Sequence, residues 1–284
     1  FTARGYEIRM RWVDLSGYSV PLTAGGSQLI TTPYLRHEPV AAPALYLAEP
    51  PVWRESVDVV VLRSGVDRSL NRATSRRYAA AAQVSADLCV THGMFDDANG
   101  VPRADAYDTI ATRESAYLPE GVLARPPEAV PYLPDPLAVG LLVRGVPRAA
   151  GAYDAESSLR FGGRWPDVPL AVIDVSATAR AGASVSGPRM TVGVPRGRVA
   201  ELRISSAMTA EGLGLLDLWR RIKDFSREDR ARLGAYWQLT PDRILTVVHA
   251  VQVPNQPPAV VVDGPRVQLW ASPRTANEPA AILR

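Results

Sequence analysis

Three stretches of this chain hold residues that could do chemistry. The first is "LCVTHGMFDDANG", residues 88–100, with the only cysteine, Cys89, three before His92. Positions three apart share a helix face, so the pair could form a thiolate–imidazolium nucleophile or give two metal ligands. Zinc needs about four ligands, and the other histidines, His37 and His249, stand in unrelated stretches. A structural role is expected instead. Cys89 packs as a small apolar residue, and His92 caps a short helix running from Ser85 and ended by Gly93. The second stretch overlaps the first. Asp96, Asp97, Asn99 and Asp105 are short oxygen-bearing side chains around a glycine, which calcium favours. The EF-hand spacing is absent, and the same residues make an Asx-rich turn. Calcium is the one cofactor the sequence brings into view, and the turn is the expected reading.

The third stretch is "RILTVVHAVQV", residues 243–253. His249 could act as a catalytic base there, with Asp242 or Asp263 orienting it. The competing reading is a hydrogen-bonded core histidine. No Gly-x-Ser-x-Gly elbow, His-Glu-x-x-His pair, P-loop or Gly-x-Gly-x-x-Gly fingerprint accompanies it. A hydrolase using His249 or the 92–108 loop therefore stands as an alternative. A carbohydrate-binding module is another, because Trp12, Trp53, Trp165, Trp219, Trp237 and Trp270 supply large flat surfaces; core packing is their commoner fate.

The elements that must carry these residues are mostly strands. "YEIRMRWV", residues 6–13, alternates, with Tyr6, Ile8, Met10 and Trp12 on one face. "SQLITT" and "PALYLAEP" are further strand candidates. "VDVVVLRS", residues 57–64, is apolar on both faces and reads as a central strand. From Asp67 alanine replaces the β-branched residues, and Arg68, Arg72 and Arg76 would form a basic stripe on a helix. Seven prolines between 119 and 150 mark an extended crossing, in which "LAVGLLVRGV" is either strand or buried helical turn. Beyond it, "VPLAVIDV" and two strands around a Pro195–Gly197 turn return to β. A helix capped by Thr209 carries Leu215, Leu218, Trp219 and Ile222, with Asp217 four before Arg221. A second helix opens at Ser226 with Asp229 three on. "AVVVDGPRVQLWA" reads as a hairpin turning at Asp263 and Gly264, with a loop lengthened by Pro265.

Composition bounds the classes. The 284 residues, 46% apolar and 21% charged, describe a globular chain of one large or two ordinary domains. A net charge of +3 is too balanced to imply nucleic acid, and neither RNP-like aromatics nor zinc-finger spacing appear. Lys223 is the only lysine, which leaves little room for Schiff-base chemistry. One cysteine forms no internal disulfide. No apolar run approaches the roughly 20 residues of a transmembrane helix. With 25 prolines and 21 glycines, turns are many and elements short. The chain begins at Phe1 without a charged-then-apolar leader and ends in "AAILR", which could be mid-strand. A processed chain or a piece of a longer one is expected. Its Ala, Arg, Pro and Val content suits a GC-rich bacterial genome.

The segments "RHEPVAAPAL", "THGMFDD" and "ILTVVHAVQVP" are similar to recurring segments of large, uncharacterised bacterial multidomain proteins. The resemblance implies a surface or assembly role and no reaction. The expected fold is mainly β with α insertions: antiparallel β-sandwich-like regions joined by a helical, proline-rich middle. Composition divides the chain into β-rich residues 1–66, a connecting region 67–150 and β-rich residues 151–284 with two inserted helices. The expected role is a non-catalytic structural or interaction region of a large bacterial extracellular or phage-tail-like assembly. Its partners would be proteins or further copies of itself, with no nucleic acid and no transmembrane segment. The compartment stays open, with a secreted or assembly-associated setting favoured.

Overall fold

The computed structural model describes residues 5–9, 13–19, 21, 29–33, 35–52, 54–65, 72–146, 155–226, 229 and 239–251, with residue pairs 259–260, 269–270 and 281–282. In chain order the strands are β1 (Gly5–Arg9), β2 (Leu29–Pro33), β3 (Ala44–Leu47), β4 (Val59–Ser64), β5 (Thr74–Ala80), β6 (Gly140–Val146), β7 (Ala155–Arg160), β8 (Ala171–Thr178), β9 (Gly182–Ser186), β10 (Arg189–Pro195), β11 (Val199–Ala207), β12 (Arg243–Val251), β13 (Ala259–Val260), β14 (Leu269–Trp270) and β15 (Ala281–Ile282). The helices are short: α1 (Ala86–Thr91), α2 (Ala106–Arg113), α3 (Ala210–Gly214) and α4 (Asp217–Ile222). The architecture is thus strand-dominated with α insertions.

Two five-stranded sheets face each other, in the orders β3-β5-β8-β10-β9 and β4-β12-β11-β6-β7. Each takes strands from all three compositional stretches of the chain. Alternate residues of both sheets meet in one apolar core, including Leu62, Ile173, Val192, Leu202 and Val247. Burying such side chains contributes roughly 1.5–3 kcal/mol each. Pairing is mostly antiparallel, as expected, but each sheet holds one parallel pair, β8 with β10 and β4 with β12. β4 and β12 are far apart in the chain, as a parallel crossover requires, whereas β8 and β10 are joined by ten residues that run back as β9 along the far side of β10.

Several local expectations changed in the fold. The Arg72–Arg76 segment does not lie on a helix; β5 begins at Thr74. Strand alternation sends Arg76 outward to Asp174 and Arg77 into the core, where helical spacing would have put Arg72 and Arg76 side by side. Arg68 lies outside the described residues. "VDVVVLRS" becomes β4, an edge strand in hydrogen-bond order rather than a central one. Its apolar faces are explained by packing against β5 and β8, with its free side closed by Arg63–Arg72 backbone bonds. "LAVGLLVRGV" yields strand β6. Strands β10 and β11 flank the Pro195–Gly197 turn yet belong to opposite sheets, so this turn is a corner of the sandwich. The helix expected after Thr209 breaks into α3 and α4. Thr209 does cap α3, accepting from the Gly212 N–H at 3.0 Å, and Asp217 does bond Arg221 at 2.6 Å. The break comes at Leu216, where Arg36 takes over the neighbouring backbone bonds: its N–H donates to Leu215 and its carbonyl accepts from Asp217. Ser226 accepts from the Asp229 N–H as a cap would; the helix expected beyond lies outside the described residues. β13 pairs with β14 as the expected hairpin, its turn at Asp263 and Gly264 outside the described residues.

β1 and β2 form a separate two-stranded ribbon, in which Ile8 sits opposite Ile30 and is 47% exposed. The face expected to be half-buried is therefore open at Ile8. Met10 and Trp12 lie outside the described residues.

Candidate functional site

His249 ends the inward row of β12 that begins Leu245 and Val247, and it is 1% exposed. It sits at the corner where β10 leaves its sheet. There the backbone loses its ladder partners, and buried carbonyls must be satisfied by something else. The Nδ1–H of His249 donates to the Val194 carbonyl at 2.9 Å. Its main chain stitches the turn: its N–H donates to Arg198, and its carbonyl accepts from Gly197, whose φ is +71°. With the proton fixed on Nδ1, Nε2 becomes an acceptor, and the Ser64 hydroxyl at the end of β4 donates to it at 2.9 Å. Ser64 lies diagonally from His249 across the parallel β4–β12 pair, where His249 faces Leu62. Sequence reading gave no sign of it, because this contact spans 185 positions.

This arrangement resembles a nucleophile and base, but its third member is a backbone carbonyl. Asp242 precedes the other end of β12, roughly 23 Å away at about 3.3 Å per residue. There it accepts a hydrogen bond from Arg144 and forms an ion pair with Arg203 at 3.7 Å. Asp263 lies outside the described residues. Burial holds the His249 pKa below its usual 6.5, the Val194 and Pro195 backbone bonds opposing and Arg196 adding to the fall. The neutral ring is the stable form, and an imidazolium would find no carboxylate partner among the contacts just described. The geometry is that of a hydrogen-bonded core histidine tying β4, β10 and β12 together.

Residues 85–105 fold much as their sequence suggested. Ser85 accepts from the Leu88 N–H to start α1, His92 caps its end, and Gly93 follows at φ +67°. Phe95 is buried and meets Trp165 edge-to-face at 5.4 Å; Met94 is half-buried beside it. Cys89 is fully buried, and burial pushes its thiol up to about 12, which removes the thiolate a nucleophile needs. Burial likewise lowers the pKa of His92. In the turn, Asp97 accepts from the Asn99 and Val101 N–H groups at 2.8 and 3.0 Å, and these bonds lower its pKa. Asp105 stands at the N-cap of α2 and pairs with Arg103 at 3.6 Å, away from any shared ligand shell with Asp96. Among the described residues no group of three or more His, Cys, Asp or Glu is placed to hold a metal ion.

Two buried polar centres went unnoticed in the sequence. Arg36 and Asp135, 3% and 2% exposed at their side chains, form a bidentate pair at 2.8 and 2.6 Å. Among the described residues no carboxylate bonds the Arg77 guanidinium. It donates instead to the Val57, Ser56, Val59 and Arg76 carbonyls and the Ser75 hydroxyl, at 2.8–3.0 Å. Desolvation lowers its pKa to about 10, still protonated at neutral pH. It rivets β5 to the segment leading into β4 in the opposite sheet. Neither centre has a sequence signature, since each partner is chosen by tertiary contact.

Of the tryptophans, Trp165 donates to the Pro134 carbonyl at 2.9 Å, and Trp219 packs against the main core. Trp12, Trp53 and Trp237 lie outside the described residues, as does the side chain of Trp270. No helix among the described residues is long and apolar enough to cross a membrane.

The sandwich margins are the remaining candidate. On one side, β3 is closed by the proline-rich segment: Leu47 donates to Gly121 and accepts from Leu123. β4, the edge of the other sheet, is bonded at Arg63 by the Arg72 backbone. On the other side, β9 and β7 end their sheets next to each other. Among the described residues, no backbone bond reaches β9 except from β10. Residues 183–186 of β9 are exposed, Val185 by 40%. Comparison with family models, curated proteins and solved structures found no match to this chain.

Proposed function

We propose that this chain is a non-catalytic structural and interaction region of a larger assembly, engaged through the open margin at β9. The observation that carries the reading is the contrast between margins: β3 and β4 are closed by the chain's own backbone, and among the described residues β9 has a backbone partner on one side, β10. An open edge is a row of unsatisfied N–H and C=O groups that templates another strand. Soluble folds commonly guard such edges with charge or proline, and "GASVS" has neither. The resemblance to large bacterial multidomain proteins supplies the setting, a bacterial extracellular or phage-tail-like particle.

Two measurements test this. The first is light-scattering mass over a wide concentration range. The second is anisotropy of a labelled, alternating Thr/Val peptide as a generic strand probe. Association in at least one, lost on Val185→Lys, supports the reading. A monomer that ignores the probe overturns it.

The Ser64–His249 contact favours a second reading, a serine hydrolase with Ser64 as nucleophile. Its weakness is the buried base without a carboxylate. A fluorophosphonate probe separates the two: labelling abolished by Ser64→Ala supports the hydrolase, and an unlabelled chain removes it.

A further inference from the structure

We infer that the hollow between β7 and α3 binds a short apolar peptide through its two free termini, the ammonium on Glu211 and the carboxylate on Arg160. The hollow follows from the outer face of the β4-β12-β11-β6-β7 sheet. Leu141, Leu159 and Ile204 point into the core, so by alternation Gly140, Arg160 and Ala207 face away from it. The strand register sets these three side by side, Ala207 opposite Gly140 and Gly140 opposite Arg160. Two of them carry at most a methyl group, and the row dips there. The β6 and β7 backbones also come close: a Cβ built at Gly140 would meet the Leu159 carbonyl at 2.1 Å, so only glycine fits. β11 then leads through Met208 into α3, which supplies the facing wall. The cavity between them measures about 620 Å³. Small-ligand sites run from roughly 300 to 1,000 Å³.

The lining selects the ligand. Leu142, Met208 and Leu213 offer half-buried apolar surface. Against them stand two opposite charges, Arg160 entering from β7 and Glu211 from α3. Among the described residues no ion pair joins the two, and the Arg160 guanidinium makes no hydrogen bond. Arginines elsewhere in the chain take the nearby carboxylate, as Arg76 takes Asp174 and Arg221 takes Asp217. Glu211 is fixed in place by its own backbone N–H and the Thr209 hydroxyl, which hold its carboxyl below the usual range and keep it ionised at neutral pH. A separated cation and anion over an apolar floor complement a molecule that carries both charges on an apolar body. Size points to a dipeptide. A hollow of this volume is roughly 10 Å across. Two extended residues at about 3.3 Å each hold their terminal charges roughly 6 Å apart. Charge-assisted bonds of about 2.8 Å at each end carry them to the walls. The Ser158 and Thr240 hydroxyls line the same hollow and can bond the peptide group between.

Calorimetric titration of the full chain at neutral pH tests this, with Leu-Leu, N-acetyl-Leu-Leu, Leu-Leu-amide and Gly-Gly as probes. Leu-Leu is expected to bind saturably. Each of the other three should bind at least about fivefold more weakly, having lost one charge-assisted bond or the apolar cover. Two variants then assign the charges. Arg160→Gln should weaken Leu-Leu about fivefold and erase the difference between Leu-Leu and its amide, with the acetyl effect intact. Glu211→Gln should erase the acetyl effect and keep the amide effect. Both side chains are exposed, so neither change should unfold the chain. A merely structural role for either residue would weaken all probes alike and leave the discrimination in place. No saturable heat with Leu-Leu up to about 10 mM overturns the inference. Capped forms or Gly-Gly that bind as well as Leu-Leu overturn it too, as do variants that keep the full discrimination.

Discussion

The two margins of this sandwich are finished in different ways. At β3 and β4 the chain folds back and completes its own hydrogen bonds, and the rivet Arg77 crosses between the sheets nearby. At β9 four of five residues are exposed, and among the described residues only β10 bonds its backbone. The closed side spends buried polar groups on internal cohesion, where each unsatisfied partner is costly. The open side has one ladder, to β10, and exposed side chains, so substitutions there should cost folding less than those on the closed side. Mutations should divide accordingly, with stability effects on the closed side and association effects on the open side.

The largest effect is expected at Arg77. Arg77→Met removes five charge-assisted hydrogen bonds, leaves the Val57 carbonyl without its Arg77 donor and the Ser56 and Val59 carbonyls with only their mutual backbone bonds, and should cost about 3–5 kcal/mol in urea unfolding. A loss below about 1 kcal/mol would mean that water or repacking satisfies those carbonyls, and the rivet would be dispensable. Arg36→Ala comes next. It leaves the Asp135 carboxylate buried without its bidentate partner, and a loss of about 3 kcal/mol is expected by the same measurement.

A smaller effect follows from His249. Its folded pKa lies below the usual 6.5, so the unfolded chain binds more protons wherever the two differ. Its contribution is therefore fully present above about pH 6.5 and is lost as pH falls from there toward the folded pKa. Unfolding midpoints measured across this range should fall with pH, and His249→Gln should flatten part of the slope. His92 shifts in the same direction and leaves a residual slope. An unchanged slope in His249→Gln would place the titrating group elsewhere. The smallest stability effect belongs to the open side. Val185→Lys should move the unfolding midpoint by less than about 1 kcal/mol while abolishing concentration-dependent mass. If it unfolds the chain instead, β9 is structural and the contrast between the margins disappears.

Much of the local structure was legible beforehand. The Ser85-to-Gly93 helix, the Asx turn at Asp97 and the Thr209 cap depend on neighbours within four residues, and short-range chemistry settles them. The strand at residues 74–80 was not legible. Its alanines and arginines favour helix, and burial of Arg77 against the opposite sheet overrode that preference. The candidate site was legible only in part. His249 stood out, and Asp242 looked a plausible orienter by nearness in sequence. Along an extended strand that nearness becomes distance, and the actual partners are Ser64 and the Val194 carbonyl.

What the sequence determined by itself was a strand-rich, proline-punctuated chain with short helices, since alternation, caps and turn residues act locally. Only the tertiary structure decided which strands became neighbours, and with that which histidine nitrogen carries the proton and which edge stays open. Those outcomes depend on loop closure over tens to hundreds of residues and on one shared core. Residues far apart in the chain therefore select one another by burial, and no local pattern records the choice.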